Sequence, residues 1–172
     1  MDTLAIFVLQ LVLSLTVFTL IAKWFVAPWL AEKPADLAMI VLVFPHAFRH
    51  LGLSFLNPGL VGESLPSYFA YTVAYGDFVS GLLALASLLA LKRHWNSAVL
   101  LVWLFNIVGT MDLVHALVQE SAVHHLGPTW YIPTFWVPVL LVTHAMVFQR
   151  LLKCAPRRCA NPVQSDVLAT QS

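Results

Sequence analysis

Five apolar runs, each close to the length of a membrane-crossing helix, constrain the fold of this chain more than any other feature. They cover about residues 3–22, 37–56, 68–91, 98–118 and 131–151, and a helix needs about 20 apolar residues to cross a bilayer. Charged residues make up 10% of the chain, whereas soluble domains carry about 25%. The sequence therefore predicts an all-α protein whose residues 1–153 form a bundle of five transmembrane helices in the inner or plasma membrane, in contact with its lipids.

The distribution of basic residues predicts the orientation of this bundle. Lys and Arg are enriched in cytoplasmic segments next to spans. Eight of the nine fall in the first loop, the third loop or the C-terminal segment, which alternation of the spans places on one side: Lys23, Lys33, Lys92, Arg93, Arg150, Lys153, Arg157 and Arg158. We therefore expect the N-terminus outside and the C-terminus in the cytoplasm. Residues 154–172 are polar and predict a disordered cytoplasmic tail, in which Cys154 and Cys159 remain free thiols.

The ninth basic residue, Arg49, falls in the middle of the second predicted span. A charge at the centre of a transmembrane helix costs about 2.5 to 3.5 kcal/mol on insertion scales, so such a residue normally faces a partner or a cavity inside the protein. If this span is an α-helix, with about 100° between successive residues, His46, Arg49 and His50 share one face. We expect this face to look into the bundle.

Three further ionisable side chains lie inside the third and fourth predicted spans. Asp112 and His115 are three residues apart and share a helix face by the same geometry. With the predicted topology, Asp77, Asp112, His115 and the face of Arg49 lie in the middle and outer thirds of the membrane, where they can form one site. His144, in the fifth span, falls closer to the cytoplasm. Asp77 also shares its face with small residues, which are typical of helix packing in lipid: Ala74, Ser80, Gly81 and Ala84.

The residue types in this predicted site favour a metal centre. His46 and His50 offer two imidazoles from one helix. Asp112 and His115 offer a carboxylate and a third imidazole from another. Such a donor set suits zinc or non-haem iron. The sequence thus predicts His46, His50, Asp112 and His115 as metal ligands.

Arg49 and Asp77 take the catalytic roles in this hypothesis. A guanidinium neutralises a developing oxyanion or holds a phosphate. Asp77 serves as a further ligand or orients a histidine. The predicted activity is that of a metal-dependent membrane enzyme acting on a lipid-soluble or amphipathic small molecule.

The same residues support three other functions. Carboxylates, histidines and an arginine in one cluster suit a small transporter, or a membrane protein that binds an ion or a ligand. Two histidines on different helices suit a non-covalent haem. A purely structural network, in which Arg49 pairs with Asp77 or Asp112, is the remaining alternative. A net charge of only +1 argues against a nucleic-acid partner.

Overall fold

The computed structural model describes residues 2–62 and 65–153 of the 172-residue chain, and the regular structure in these ranges is entirely helical. Five helices are long and apolar enough to cross a membrane: α1 Thr3–Ala31, α2 Ala35–Leu56, α3 Ser67–Lys92, α4 Ala98–Leu117 and α5 Gly127–Lys153. A short 3₁₀ segment, Glu120–His125, joins α4 to α5. The prediction of five apolar helices is confirmed. The predicted tail, with Cys154 and Cys159, lies outside the described residues.

Prolines lie inside two of these helices without ending them. In an α-helix a proline ring clashes with the carbonyl four residues earlier. α1 avoids this clash before Pro28 by widening into a π-turn over Ala22–Val26, in which the Ala27 N–H donates to the Ala22 carbonyl. α5 forms the same kind of π-turn over Ile132–Trp136, just before Pro138. As a result α1 runs to Ala31, beyond the predicted end near residue 22.

Pro45 changes the winding of α2 halfway along its length. Residues Ala35–Val43 are α-helical, whereas Phe44–Leu56 form an unusually long 3₁₀-helix. Pro45 has no N–H to donate to the carbonyl four residues earlier, and its ring crowds that carbonyl. A 3₁₀-helix has three residues per turn, so side chains three apart stack above one another. The buried residues of this segment follow that spacing: His46, Arg49, Gly52 and Phe55.

The tightest packing joins α2, α3 and α4. The 3₁₀ segment of α2 lies along α3, which in turn lies along α4, and α5 contacts α1, α2 and α4. α1 is peripheral, because only three of its residues are buried: Phe7, Ala22 and Leu30. The bundle therefore has a three-helix centre that α5 and α1 flank.

Polar residues occupy the middle of the interior, between two apolar clusters. One cluster includes Leu42 and Val102, and the other, toward the opposite end of the helices, includes Phe55 and Phe69. Five buried side chains with an imidazole, charged or amide group lie between these clusters: His46, Arg49, Asp77, Asn106 and His144. The outer surfaces of the same helices expose many large apolar side chains. A polar centre inside an apolar exterior is the reverse of the usual arrangement in a soluble domain.

Candidate functional site

Arg49 lies at the centre of the buried polar residues and connects α2 to both α3 and α4. Its guanidinium is fully enclosed. Nε donates a hydrogen bond to Asp77 Oδ1 at 2.7 Å, and Nη2 donates to Asp112 Oδ2 at 2.5 Å. Nη1 donates to the carbonyl oxygen of Gly109 at 2.9 Å. Arg49 thus pairs with both aspartates, and we call these three side chains the Arg49 cluster.

Glycines allow the helices to approach closely around this cluster. A Cβ atom on Gly52 of α2 would lie 2.6 Å from Asp77 Cβ. A Cβ atom on Gly76 of α3 would lie 2.6 Å from Asp112 Cγ. Real Cβ atoms essentially never approach other heavy atoms within 3.0 Å. The two carboxylates therefore occupy space that a side chain at either glycine would fill.

Each aspartate uses one oxygen on Arg49 and keeps the other without a protein partner. Among the residues described, none donates a hydrogen bond to Asp77 Oδ2 or Asp112 Oδ1. The two side chains retain 9% and 13% exposure. Taken as ionised, the cluster holds one guanidinium and two carboxylates, which is a formal charge of −1. It can accept hydrogen bonds from an added donor and attract an added cation.

Two histidines form a second polar layer next to the cluster. The rings of His46 and His144 lie 4.1 Å apart, centroid to centroid. The Thr143 hydroxyl oxygen lies 3.0 Å from His46 Nε2, within hydrogen-bond distance, and 2.9 Å from the Val139 carbonyl oxygen. Asn106 Oδ1 only accepts, so His144 Nδ1–H donates to it at 2.6 Å. The remaining nitrogens, His46 Nδ1 and His144 Nε2, have no hydrogen-bond partner among the described residues.

The histidine layer meets the Arg49 cluster over Gly109. A Cβ atom on Gly109 would lie 2.8 Å from both Arg49 Nη1 and His144 Cε1. The guanidinium and the imidazole therefore share the small space that this glycine leaves open. The result is one continuous polar core with side chains from α2, α3, α4 and α5.

An apolar pocket ends at the two aspartates. Its cavity volume is about 30 Å³, which is room for about one or two water molecules. Apart from Asp77, Asp112 and Gln119, its walls are apolar and come from all five helices and the 3₁₀ segment that joins α4 to α5. The residues that form most of these walls include Phe7, Phe55, Phe69, Leu117, Val123 and Ile132.

The first turns of α1 close one side of this pocket. Phe7 lines it and packs edge-on against Trp130, with ring centroids 5.5 Å apart. Trp130 Nε1 donates a hydrogen bond to Gln10 Oε1 at 2.7 Å. Because α1 is otherwise little buried, these contacts anchor its N-terminal half over the pocket.

His50 points away from the site, contrary to the sequence-based expectation. The prediction assumed an α-helix, in which His46, Arg49 and His50 share a face. In the 3₁₀ winding, about 120° separates successive residues, so His50 lies a third of a turn from the row of His46 and Arg49. His50 is exposed, and its Nδ1 lies 3.0 Å from the Ala47 carbonyl oxygen.

His115 is also outside the polar core. Gly109 is at the centre of the buried face of α4. At 100° per residue, Asp112 lies about 60° and His115 about 120° from that centre. His115 is exposed, and its Nε2 lies 3.1 Å from Gln119 Nε2. His115 therefore lies outside the interior of the bundle, although it is only one helical turn from Asp112.

The predicted metal ligands are not assembled. His46 and Asp112 are turned inward, but His50 and His115 are not. Within residues 2–62 and 65–153, no group of three or more His, Cys, Asp or Glu side chains is placed to hold a metal. The expected zinc or iron site has no support in this geometry. The rings of His46 and His144 are in direct contact, which also leaves no room for a haem plane between them.

Three residues of the polar core were not among the predicted site residues. His144 was expected closer to the cytoplasmic end, yet its ring lies 4.1 Å from that of His46, centroid to centroid, because depth counted along the sequence does not give the offset of one helix relative to another. Asn106 and Thr143 were not selected at all. Asn106 could have been identified from the sequence, because it lies one helical turn before Gly109, which itself lies one turn before Asp112.

Comparison with known proteins identifies a family. The model of a family described as a domain of unknown function (DUF8737) matches residues 6–152, which include every residue of the polar core. No curated protein and no solved structure matches the chain.

Proposed function

The chain belongs to the family described as a domain of unknown function (DUF8737), and we propose that it is a multi-pass membrane protein that binds a lipid-soluble or amphipathic small molecule. The closed pocket has room only for water, so the ligand enters as the apolar walls move apart, and its polar end meets Asp77 and Asp112. The observation that carries this proposal is the composition of the pocket, whose apolar walls end at two carboxylates that each keep one oxygen unpaired. Binding sites commonly combine apolar walls with a few polar groups that orient the ligand.

Membrane insertion is supported by the distribution of polar and apolar side chains. The five helices expose apolar residues such as Leu100, Met111 and Leu152, whereas the charged Arg49 and Asp77 are enclosed. Charged residues inside membrane proteins are rare, face the bundle interior and mark functional sites. We propose the cell membrane as the location.

The proposed orientation places the N-terminus outside and the C-terminus in the cytoplasm. It rests on the basic residues, which gather next to one set of helix ends. The pocket lies toward the other ends, where the loop before α3 meets the segment before α5 through a hydrogen bond from the Gly62 N–H to the His125 carbonyl at 2.8 Å. In this orientation the pocket lies in the outer half of the membrane, and its ligand enters from the outer leaflet or the outer aqueous phase.

A metal-dependent reaction is not part of this proposal. Two of the four residues predicted as ligands face away from the Arg49 cluster, and among the described residues no group of three or more His, Cys, Asp or Glu side chains is placed to hold a metal. Arg49 instead holds the two aspartates at the inner end of the pocket, so that their free oxygens remain fixed for a ligand.

Photolabelling in lipid nanodiscs tests the proposal. The probe is dodecanol with a photoreactive diazirine in its chain, and labelled peptides are mapped by mass spectrometry. We expect labelling of pocket residues such as Leu117 and Val123. Ala116→Trp fills the pocket from α4 and removes this labelling, whereas Ala145→Trp, on the exposed face of α5, leaves it unchanged. Labelling spread over the lipid-facing surfaces, and equal in the wild type and Ala116→Trp, would refute a ligand pocket.

A further inference from the structure

The charge of the Arg49 cluster indicates which head group the pocket prefers. One guanidinium faces two carboxylates, which leaves one negative charge without a partner when both are ionised. The other described Lys and Arg residues lie in the π-turn of α1, near the helix ends away from the pocket or in the adjoining loops: Lys23, Lys33, Lys92, Arg93, Arg150 and Lys153. None of them lines the pocket. The missing positive charge is therefore one that a ligand can supply.

The hydrogen-bonding pattern narrows the choice further. Asp77 Oδ2 and Asp112 Oδ1 are acceptors without a described protein donor, and Asp77 is more than nine-tenths buried. An ammonium group offers up to three N–H donors together with a positive charge, which matches two acceptor oxygens without a protein donor in a cluster of net negative charge. A hydroxyl offers one donor without charge, a quaternary ammonium offers charge without a donor, and a carboxylate is repelled.

The rest of the pocket suits the hydrocarbon part of an amphiphile. Phe55 and Phe69 line the pocket and pack edge-to-face, with ring centroids 5.8 Å apart. The hydrocarbon part of an amphiphile continues along apolar residues toward Leu126 and Ile132.

We propose that the ligand is an amphiphilic amine, with a protonated primary or secondary amino group that donates hydrogen bonds to Asp77 and Asp112. This inference rests on the proposed ligand-binding function and adds the chemical class of the head group. Arg49 positions the two carboxylates and balances one of them, and the ammonium of the ligand balances the other.

A series of probes with the same chain and different heads tests the inference in wild-type protein. The probes are diazirine derivatives of dodecylamine, dodecanol, dodecanoate and dodecyltrimethylammonium in phosphatidylcholine nanodiscs, with concentrations corrected for partition into the bilayer. Charge-assisted hydrogen bonds favour dodecylamine over dodecanol at the pocket residues by about 10-fold or more in affinity. We expect dodecyltrimethylammonium to bind more weakly than dodecylamine because it has no N–H, and dodecanoate to bind weakest.

Two variants test whether the preference for an amine head group depends on the Arg49 cluster. Asp112→Asn removes the charge of the more accessible aspartate and is expected to weaken dodecylamine binding by about 10-fold while dodecanol binding changes little. Asp36→Asn, which removes a half-buried carboxylate at the start of α2, outside the pocket, is the matched control and leaves both unchanged. Equal affinity for amine and alcohol at the pocket would overturn the head-group inference and leave the proposed function intact. No labelling of the pocket by either probe would overturn both.

Discussion

Replacing Arg49 by leucine should destabilise the protein more than any other single change in the bundle. The guanidinium donates two charge-assisted hydrogen bonds to Asp77 and Asp112 and a third bond to the Gly109 carbonyl. Removing one partner of a buried ionic group costs about 3–5 kcal/mol, because the remaining charges stay buried without compensation. We expect Arg49→Leu to lower the free energy of unfolding by this amount.

The loss of stability in Arg49→Leu should be reversed when the unpaired carboxylates of Asp77 and Asp112 are removed as well. Buried ionic groups replaced by apolar residues of similar volume are often neutral or stabilising. The triple variant Arg49→Leu/Asp77→Leu/Asp112→Leu is therefore expected to regain most of the stability. Arg49→Leu/Asp77→Leu still leaves Asp112 unpaired, so its stability should lie between the single and the triple variant.

Unfolding by SDS in mixed micelles, followed by circular dichroism, measures these differences. Arg93→Leu is the matched control, because Arg93 is exposed at the end of α3, and it should change the free energy of unfolding by less than about 0.5 kcal/mol. A loss below about 1 kcal/mol for Arg49→Leu would be at odds with a buried ion cluster. A triple variant no more stable than the single one would show that stranded charge is not the cause.

Three further predictions follow from the fold. Gly52→Ala, whose new Cβ meets Asp77, should cost about 1–3 kcal/mol in the same unfolding assay. Gly59→Ala, in a loop where the new Cβ would lie 3.4 Å from Asn57 Oδ1, an ordinary contact, should cost much less. His144→Phe leaves the Asn106 side-chain oxygen without its donor and should cost about 1–3 kcal/mol, which Asn106→Leu in the same chain partly restores. For the orientation, a green fluorescent protein fused to the C-terminus should fluoresce and an alkaline phosphatase fused there should be inactive; the opposite pair of results would reverse the proposed topology.

The helices could be predicted from the sequence because their cause is local. Each apolar run is long enough to cross a membrane, and a backbone in lipid must satisfy its own hydrogen bonds. α2, α3 and α4 accordingly begin and end within two residues of the predicted positions. The extension of α1 past Pro28 was not predicted, because the π-turn before it is one of several local responses to a proline.

The membership of the site could be predicted only in part. Arg49, Asp77 and Asp112 were identified, since ionisable residues in apolar runs need partners inside the protein. His50 was included and His144 omitted, because the face of a side chain depends on the residues per turn and its depth depends on the tilt of its helix. The sequence shows Pro45, but it does not predict that the residues after it form a long 3₁₀-helix.

The sequence by itself determined that five apolar helices form and that an arginine among them requires negative partners, since both follow from the cost of placing polar groups in an apolar medium. Tertiary structure alone decided that Arg49 has two carboxylate partners rather than one, and that an apolar pocket ends at Asp77 and Asp112. Those features depend on the order and crossing of the helices and on their close approach at Gly52, Gly76 and Gly109. There the space for the polar side chains exists because the glycines have no side chain.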